Sequence, residues 1–406
     1  MKATLLSTYR SAPYVLTITM LSCFAYGLLA QNALPTSPSR PSSKQVNMDA
    51  GDSPDDPGPL ETALSPTMSR KAIQLAMRKV ADWQLAQSAG KYNQDWTYAP
   101  LYHGLLATSA TTHDRRYHDA VLGASEQFQW KLWANRSFHA DDEAVGQAYE
   151  ILYAEHKDPV RIADTKQTFD RLLDRTDDPS KDLWWWCDAL FMAPPAMAKL
   201  SALTGDHRYI DKMNQEWDLT YGHLYDPAEH LYFRDASFLH KTEANDQKLF
   251  WSRGNGWVLA GTANVLRVLP KNDPSREKYI KLFREMSDRI AGLQQSDGLW
   301  RTGLLDQGAY ASPELSGSAF FTYAMTWGIN EKILDRAKFG PVVEKAWGGM
   351  LSHIYANGRL GSIQPMGAAP GAFKPSSSYV YGVGGFLMAG SELDRYAAHA
   401  GRSKAH

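Results

Sequence analysis

The stretch Leu190-Phe-Met-Ala-Pro-Pro-Ala-Met-Ala198, closed by Thr204-Gly-Asp-His-Arg-Tyr209, decides the fold. It is a run of small and apolar residues that ends in a polar turn, and beyond the turn the pattern is again helical. The same unit recurs along the chain. It begins at Leu101-Tyr-His-Gly-Leu-Leu-Ala107, at Val145-Gly-Gln-Ala-Tyr-Glu-Ile-Leu-Tyr153 and at Gly256-Trp-Val-Leu-Ala-Gly-Thr-Ala-Asn264. Two more begin at Ser316-Gly-Ser-Ala-Phe-Phe-Thr-Tyr-Ala324 and Tyr381-Gly-Val-Gly-Gly-Phe-Leu-Met-Ala-Gly390. A fixed repeat of this kind marks a repeated supersecondary unit. Small residues let the first helix of each unit pack closely around a shared axis. Second helices such as 276–293 are amphipathic and suit an outer layer. The expectation is all-α: six helical hairpins closed into an (α/α)6 barrel, with an open solenoid as the competing arrangement. The aromatic-rich links between units favour the closed ring, in which the starts of the inner helices surround a pocket. Short hairpins are expected only at 222–233 and 358–363.

The remainder of the chain fits around this core. Lys2 and Arg10 precede an apolar stretch from Ala12 to Leu29, and small or polar residues continue from Ala30. That order predicts an export signal over 1–30, with an N-terminal membrane anchor as the competing reading, and hence a periplasmic or secreted protein with no stable membrane insertion once the signal is removed. Residues 31–67 are rich in Pro, Ser and Asp and predict a flexible leader. Residues 68–406 are expected to form the barrel domain. With 43 Lys+Arg against 44 Asp+Glu, the chain lacks the basic excess of a nucleic-acid binder. Its two cysteines, Cys23 and Cys187, supply no zinc cluster. The histidines are scattered, and there is no dinucleotide fingerprint or nucleophile elbow. No metal or cofactor is expected.

The chemistry is expected in the links. In Trp184-Trp-Trp-Cys-Asp188, the aspartate leads into an apolar helix. It is either an N-cap or a carboxyl whose pKa the neighbouring tryptophans raise, as a general acid requires. Asp141 and Asp142 lead into the preceding inner helix; each is an N-cap, a solvated charge or a pocket carboxylate, and only one can fill a given pocket role. Paired carboxylates across a pocket mouth suit glycosidic chemistry. In Phe250-Trp-Ser-Arg-Gly-Asn-Gly-Trp257, Arg253 is either a fork for an acidic substrate or the partner of a structural aspartate, and Trp257 suits a sugar face. Trp96, Arg234 in Tyr232-Phe-Arg-Asp235, the Glu314 link and Tyr381 complete the pocket candidates.

Six motifs in register, Asp-Asp-x-x-x-Gly-Gln at 141–147, Trp-Cys-Asp-x-Leu-Phe-Met at 186–192, Trp-x-Arg-Gly-Asn-Gly-Trp at 251–257, Asp-Gly-Leu-Trp at 297–300, Glu-x-Ser-Gly-Ser-Ala at 314–319 and Tyr-Gly-Val-Gly-Gly-Phe-Leu at 381–387, resemble glycoside hydrolase family 105. That family comprises the unsaturated rhamnogalacturonyl hydrolases and is related to the unsaturated glucuronyl hydrolases of family 88. The resemblance spans residues 68–397. It implies an (α/α)6 barrel that removes a 4,5-unsaturated uronic acid from lyase-generated oligosaccharides by hydrating the C4–C5 vinyl ether, without a cofactor. It implies Asp188 as general acid/base, one of Asp141 and Asp142 as the second pocket aspartate, and Trp96, Trp186, Arg253 and Trp257 as substrate contacts. Some family members carry a histidine where this chain has Arg234. The substrate implied first is unsaturated galacturonyl-rhamnose, with other unsaturated uronides, such as glucuronyl-rhamnose, beside it. The competing functions are an (α/α)6 polysaccharide lyase or glycosidase and a non-catalytic oligosaccharide-binding protein.

Overall fold

The computed structural model describes residues 49–133, 136, 138–175 and 182–403. The expected signal at 1–30 and the leader residues up to 48 lie outside the described residues. The helices are α1 (Arg70–Ser88), α2 (Ala99–Thr112), α3 (Arg115–Gln127), α4 (Ala140–Glu143), α5 (Gly146–Glu155), α6 (Val160–Leu173), α7 (Ala189–Met192) and α8 (Pro194–Thr204). They continue with α9 (Arg208–Leu224), α10 (Ser252–Val268), α11 (Arg276–Gly292), α12 (Leu315–Asn330), α13 (Arg336–Leu351) and α14 (Val380–Ser403).

Six of these form a closed ring. Helix α2 packs on α5, α5 on α8, α8 on α10, α10 on α12, α12 on α14, and α14 back on α2. Closure excludes the open solenoid, and the fold is the (α/α)6 barrel. Each inner helix begins at or within a few residues of one of the six small, apolar runs. Glycine permits close approaches: a Cβ on Gly104 would sit 2.7 Å from the Gly384 carbonyl oxygen, and one on Gly384 would sit closer still to the Pro100 carbonyl oxygen. Helix α12 is buried from Leu315 through Ile329, so it has no solvent-exposed face over that span. The outer helices are one-sided: α11 buries Tyr279, Leu282, Phe283, Met286 and Ile290 at helical spacing. The sixth inner helix, α14, has no outer helix after it among the described residues; α1, from the start of the domain, packs against it.

Local signals set the boundaries. Pro194 and Pro195 lack the N–H that a helix interior requires, so the third unit divides into the short α7 and a new helix, α8. Gly205, at φ 78°, ends α8 in the left-handed conformation. Two tiny strands, β2 (Tyr225–Asp226) and β3 (Leu231–Tyr232), form the first expected hairpin. The second is reduced to one bridge between Ile354 and Leu360.

Residues 49–67, expected as part of a flexible leader, are instead held along the barrel. Strand β1 (Gly51–Asp52) pairs antiparallel with β4 (Ser378–Tyr379), and Leu60 bridges Tyr355. Arg359 Nη1 donates to Asp52 Oδ1 at 2.6 Å, and Ser376 Oγ donates to the Pro54 carbonyl at 2.6 Å. Composition misleads here because backbone pairing and charge, with only Ala50 and Leu64 reaching the core, fix the segment.

Candidate active site

The starts of the inner helices converge at one end of the ring. Trp96 precedes α2, Asp141 lies on α4 before α5, and Asp188 precedes α7. Arg253 and Trp257 lie in the first turns of α10, Glu314 precedes α12, and Tyr381 begins α14.

Asp188 is buried and is not a cap. An N-cap residue has extended backbone angles, whereas Asp188 is already helical (φ −62°, ψ −29°) and makes no side-chain cap bond. The turn starts earlier. The N–H groups of Ala189, Leu190 and Phe191 are taken by the carbonyls of Trp186, Cys187 and Asp188. The carboxyl is therefore free for other work. Cys187 Sγ donates to Asp188 Oδ2 at 3.5 Å, and Arg234 Nε lies 3.7 Å from the same oxygen. Burial raises the Asp188 pKa above the usual carboxylate value, and Arg234 and Arg253 oppose the shift.

The pair on α4 divides. Asp142 is tied to Arg136, whose backbone N–H donates to Oδ2 at 3.0 Å and whose Nε donates to Oδ1 at 3.1 Å. Among the described residues, Asp141 has looser charged neighbours, Arg136 and His139, each at 3.6 Å. Burial pushes Asp141 up to about 7; Arg136 opposes this, while the charges of Asp188, Asp95 and Asp142 add to it. Asp141 therefore shares the electrostatic environment of Asp188, and Asp142 anchors its own loop.

The expected aromatic contacts cluster but differ in access. Trp96 is half-buried and stacks on Tyr381 at 5.5 Å, and Trp257 meets Trp96 edge-on at 6.0 Å. Trp257 itself is fully buried against Phe320 and Phe191. Trp186 is also buried, its ring 4.7 Å from that of His139. Of the three consecutive tryptophans it is Trp185 that is open, at 49% exposure, with the Arg234 guanidinium 5.4 Å from its ring centre.

Arg253 is neither an open fork nor the partner of an aspartate. It is completely buried, and it donates from Nη1 to the Gln364 carbonyl at 2.6 Å and from Nη2 to the Pro365 carbonyl at 2.9 Å. The Tyr381 hydroxyl donates to the same Gln364 carbonyl at 2.5 Å. Gln364 gathers further bonds: Trp251 Nε1 donates to its Oε1 at 2.8 Å, and its own N–H donates to Glu314 Oε1 at 3.1 Å. Glu314 is a true cap. It has extended backbone angles and accepts from the N–H groups of Ser316 and Gly317. Arg253, Tyr381 and Glu314 thus hold the 358–377 loop to the barrel mouth, and the distance of Gln364 along the chain from all three hides it from sequence reasoning. Arg136 escapes notice for a similar reason: a lone arginine in a polar link carries no motif.

A ring of inner helices with a buried carboxyl, a second perturbed carboxyl and an aromatic group at one mouth suits a helical-barrel enzyme that acts on sugars. The family model for Glycosyl Hydrolase Family 88 matches residues 68–397, and the chain belongs to that family. A protein of Formosa agariphila named "Unsaturated 3S-rhamnoglycuronyl hydrolase" is 39% identical over 345 residues, covering 80% of this chain and 91% of the relative. A solved family 88 structure from Bacteroides vulgatus is 32% identical, covers 81% of this chain and 99% of that one, and has a TM-score of 0.77. A solved structure described as a polysaccharide lyase is 31% identical, covers 80% and 98%, and also has a TM-score of 0.77. A family 105 hydrolase from C. acetobutylicum, 20% identical over 79% and 98% of the two chains, shares the fold with a TM-score of 0.65.

Proposed function

We propose that this glycoside hydrolase removes a 4,5-unsaturated uronic acid from the non-reducing end of lyase-generated oligosaccharides by hydrating the C4–C5 double bond. The carrying observation is Asp188: a buried carboxyl at an inner-helix start, freed from capping and raised in pKa. The vinyl ether needs a proton at C4 and water at C5. Protonated Asp188 delivers its proton to C4, and the positive charge develops at C5 and the ring oxygen. The resulting carboxylate takes a proton from the water that attacks C5. One proton given and one recovered leave the side chain as it began, and one water is added. The hemiketal then opens and releases the adjoining sugar. Asp141, sharing the field of Asp188, is the second pocket carboxyl, and half-buried Trp96 and exposed Trp185 offer sugar-stacking faces.

The relative's name, which joins rhamnose to a glycuronyl unit, supports an unsaturated uronyl-rhamnose substrate. Export is part of the proposal, and it rests on the order of charged, apolar and small residues over 1–30. The test monitors the ultraviolet absorbance of the conjugated uronate in lyase digests of galacturonyl-rhamnose and glucuronyl-rhamnose polymers. Loss of absorbance supports hydration, and the faster digest names the uronate. The polysaccharide-lyase description of one similar structure favours a second reading, lyase action, which predicts a gain of absorbance on intact polymer. Unchanged absorbance on every digest and polymer contradicts both.

A further inference from the structure

We propose that Arg234, clamped by Asp235, is the positioning residue for the Asp188 carboxyl. The inference rests on Asp188 being the acid/base of the proposed reaction. Arg234 Nε lies 3.7 Å from Asp188 Oδ2 and is buried with no hydrogen-bond partner among the described residues. The other end of the guanidinium is fixed. Its Nη1 donates to Asp235 Oδ2 at 2.6 Å, and its plane lies beside Trp185. Asp235 is held in turn, because its Oδ1 accepts from the Ser237 N–H at 2.8 Å. The backbone locks the two segments together: the Cys187 N–H donates to the Arg234 carbonyl at 2.8 Å, and Trp186 bridges Asp235. The segment that carries the acid and the segment that carries the cation are therefore registered at adjacent residues.

The spacing matters. Arg136 grips Asp142 through direct hydrogen bonds, which hold that side chain in its loop. Arg234 stands just outside hydrogen-bond range of Asp188, so it stabilises the carboxylate through its field while leaving that oxygen able to carry a proton. An acid that must first give a proton and then recover one needs both states accessible. The groups that face Asp188 are Arg234 on the link after β3, Arg253 on α10, Asp141 on α4 and the neighbouring Cys187 thiol, on which Asp235 also acts. Among the charges, Arg234 opposes the effect of burial most strongly.

The test is a direct titration of Asp188 by carboxyl-carbon NMR on full-length protein containing labelled aspartate, with the resonance assigned by its loss in Asp188→Asn. Arg234→Gln is expected to raise the midpoint by about 1 unit, the lower end of the effect of an adjacent opposite charge. Arg234→Lys is expected to restore at least half of that shift. Asp235→Asn separates clamp from charge. Removing a negative charge alone lowers the midpoint, whereas release of Arg234 raises it, and a rise is expected. Where the enzyme turns over, the alkaline limb of kcat/KM moves with the midpoint. An unmoved midpoint in Arg234→Gln overturns the proposal, even if KM rises, because Arg234 then only grips substrate. If Asp188→Asn keeps its turnover, the acid/base reading fails, and the NMR shifts still decide whether Arg234 sets the carboxyl.

Discussion

Asp188 and Glu314 are both acidic residues at the start of an inner helix, and they behave in opposite ways. Glu314 is extended, accepts the first free N–H groups of α12 and also takes the Gln364 N–H. Its charge is consumed by structure. Asp188 is helical, its helix satisfies its own N–H groups, and its carboxyl faces a thiol and a cation at the edge of contact. The difference is one of backbone angle rather than residue type: a carboxyl outside the helix caps it, and one already inside the first turn is left over. A leftover buried carboxyl is costly to ionise, which is a liability for stability and an asset for proton transfer.

The largest expected effect breaks this contrast at Asp188. Asp188→Asn is expected to lower kcat about 10²–10⁴-fold, with a thermal midpoint unchanged or raised, as read by absorbance assay and calorimetry. The converse substitution should show the converse result. Glu314→Gln places an NH₂ group among donors and is expected to cost about 2–4 kcal/mol of stability in denaturant titration, since a cap and further buried bonds are lost together. Arg253 sharpens the comparison, because it sits at the mouth yet spends its bonds on structure. Arg253→Gln is expected to cost about 1.5–3 kcal/mol, the range for bonds from a charged donor.

A pH-dependent effect concerns Asp141, whose folded pKa of about 7 lies above the value of 3.8 for a free aspartate. Between those values the folded state holds more proton than the unfolded state, so this group's contribution to stability falls as pH rises from about 4 to 7. Asp141→Asn is expected to flatten that decline in melts run across the range. A decline of unchanged slope would assign the pH dependence to other groups.

The barrel is legible in the sequence, because the close-packed inner helices are written as runs of small and apolar residues that contact one another directly. Asp188 is legible as a candidate, since a carboxyl leading into such a run has few roles. The choice between cap and acid is not, because it depends on where the helical turn begins. Arg253 and Tyr381 mislead, because their aromatic and glycine-rich surroundings suggest an open site. Their bonds go to the Gln364 and Pro365 carbonyls, on a loop that no local pattern connects to them. The segment 49–67 misleads for a related reason: its partners, Ser376, Tyr379 and Arg359, lie at the far end of the chain.

The central claim is that Asp188 carries the proton while Glu314 carries the fold. It is tested most directly by one paired measurement: the rate of loss of unsaturated-uronate absorbance for wild type and Asp188→Asn on the same lyase digest, each protein shown folded by its melting curve. The account predicts turnover by the wild type and a loss of about 10²-fold or more in a variant that melts no lower. An Asp188→Asn protein that hydrates the substrate at the wild-type rate would contradict it.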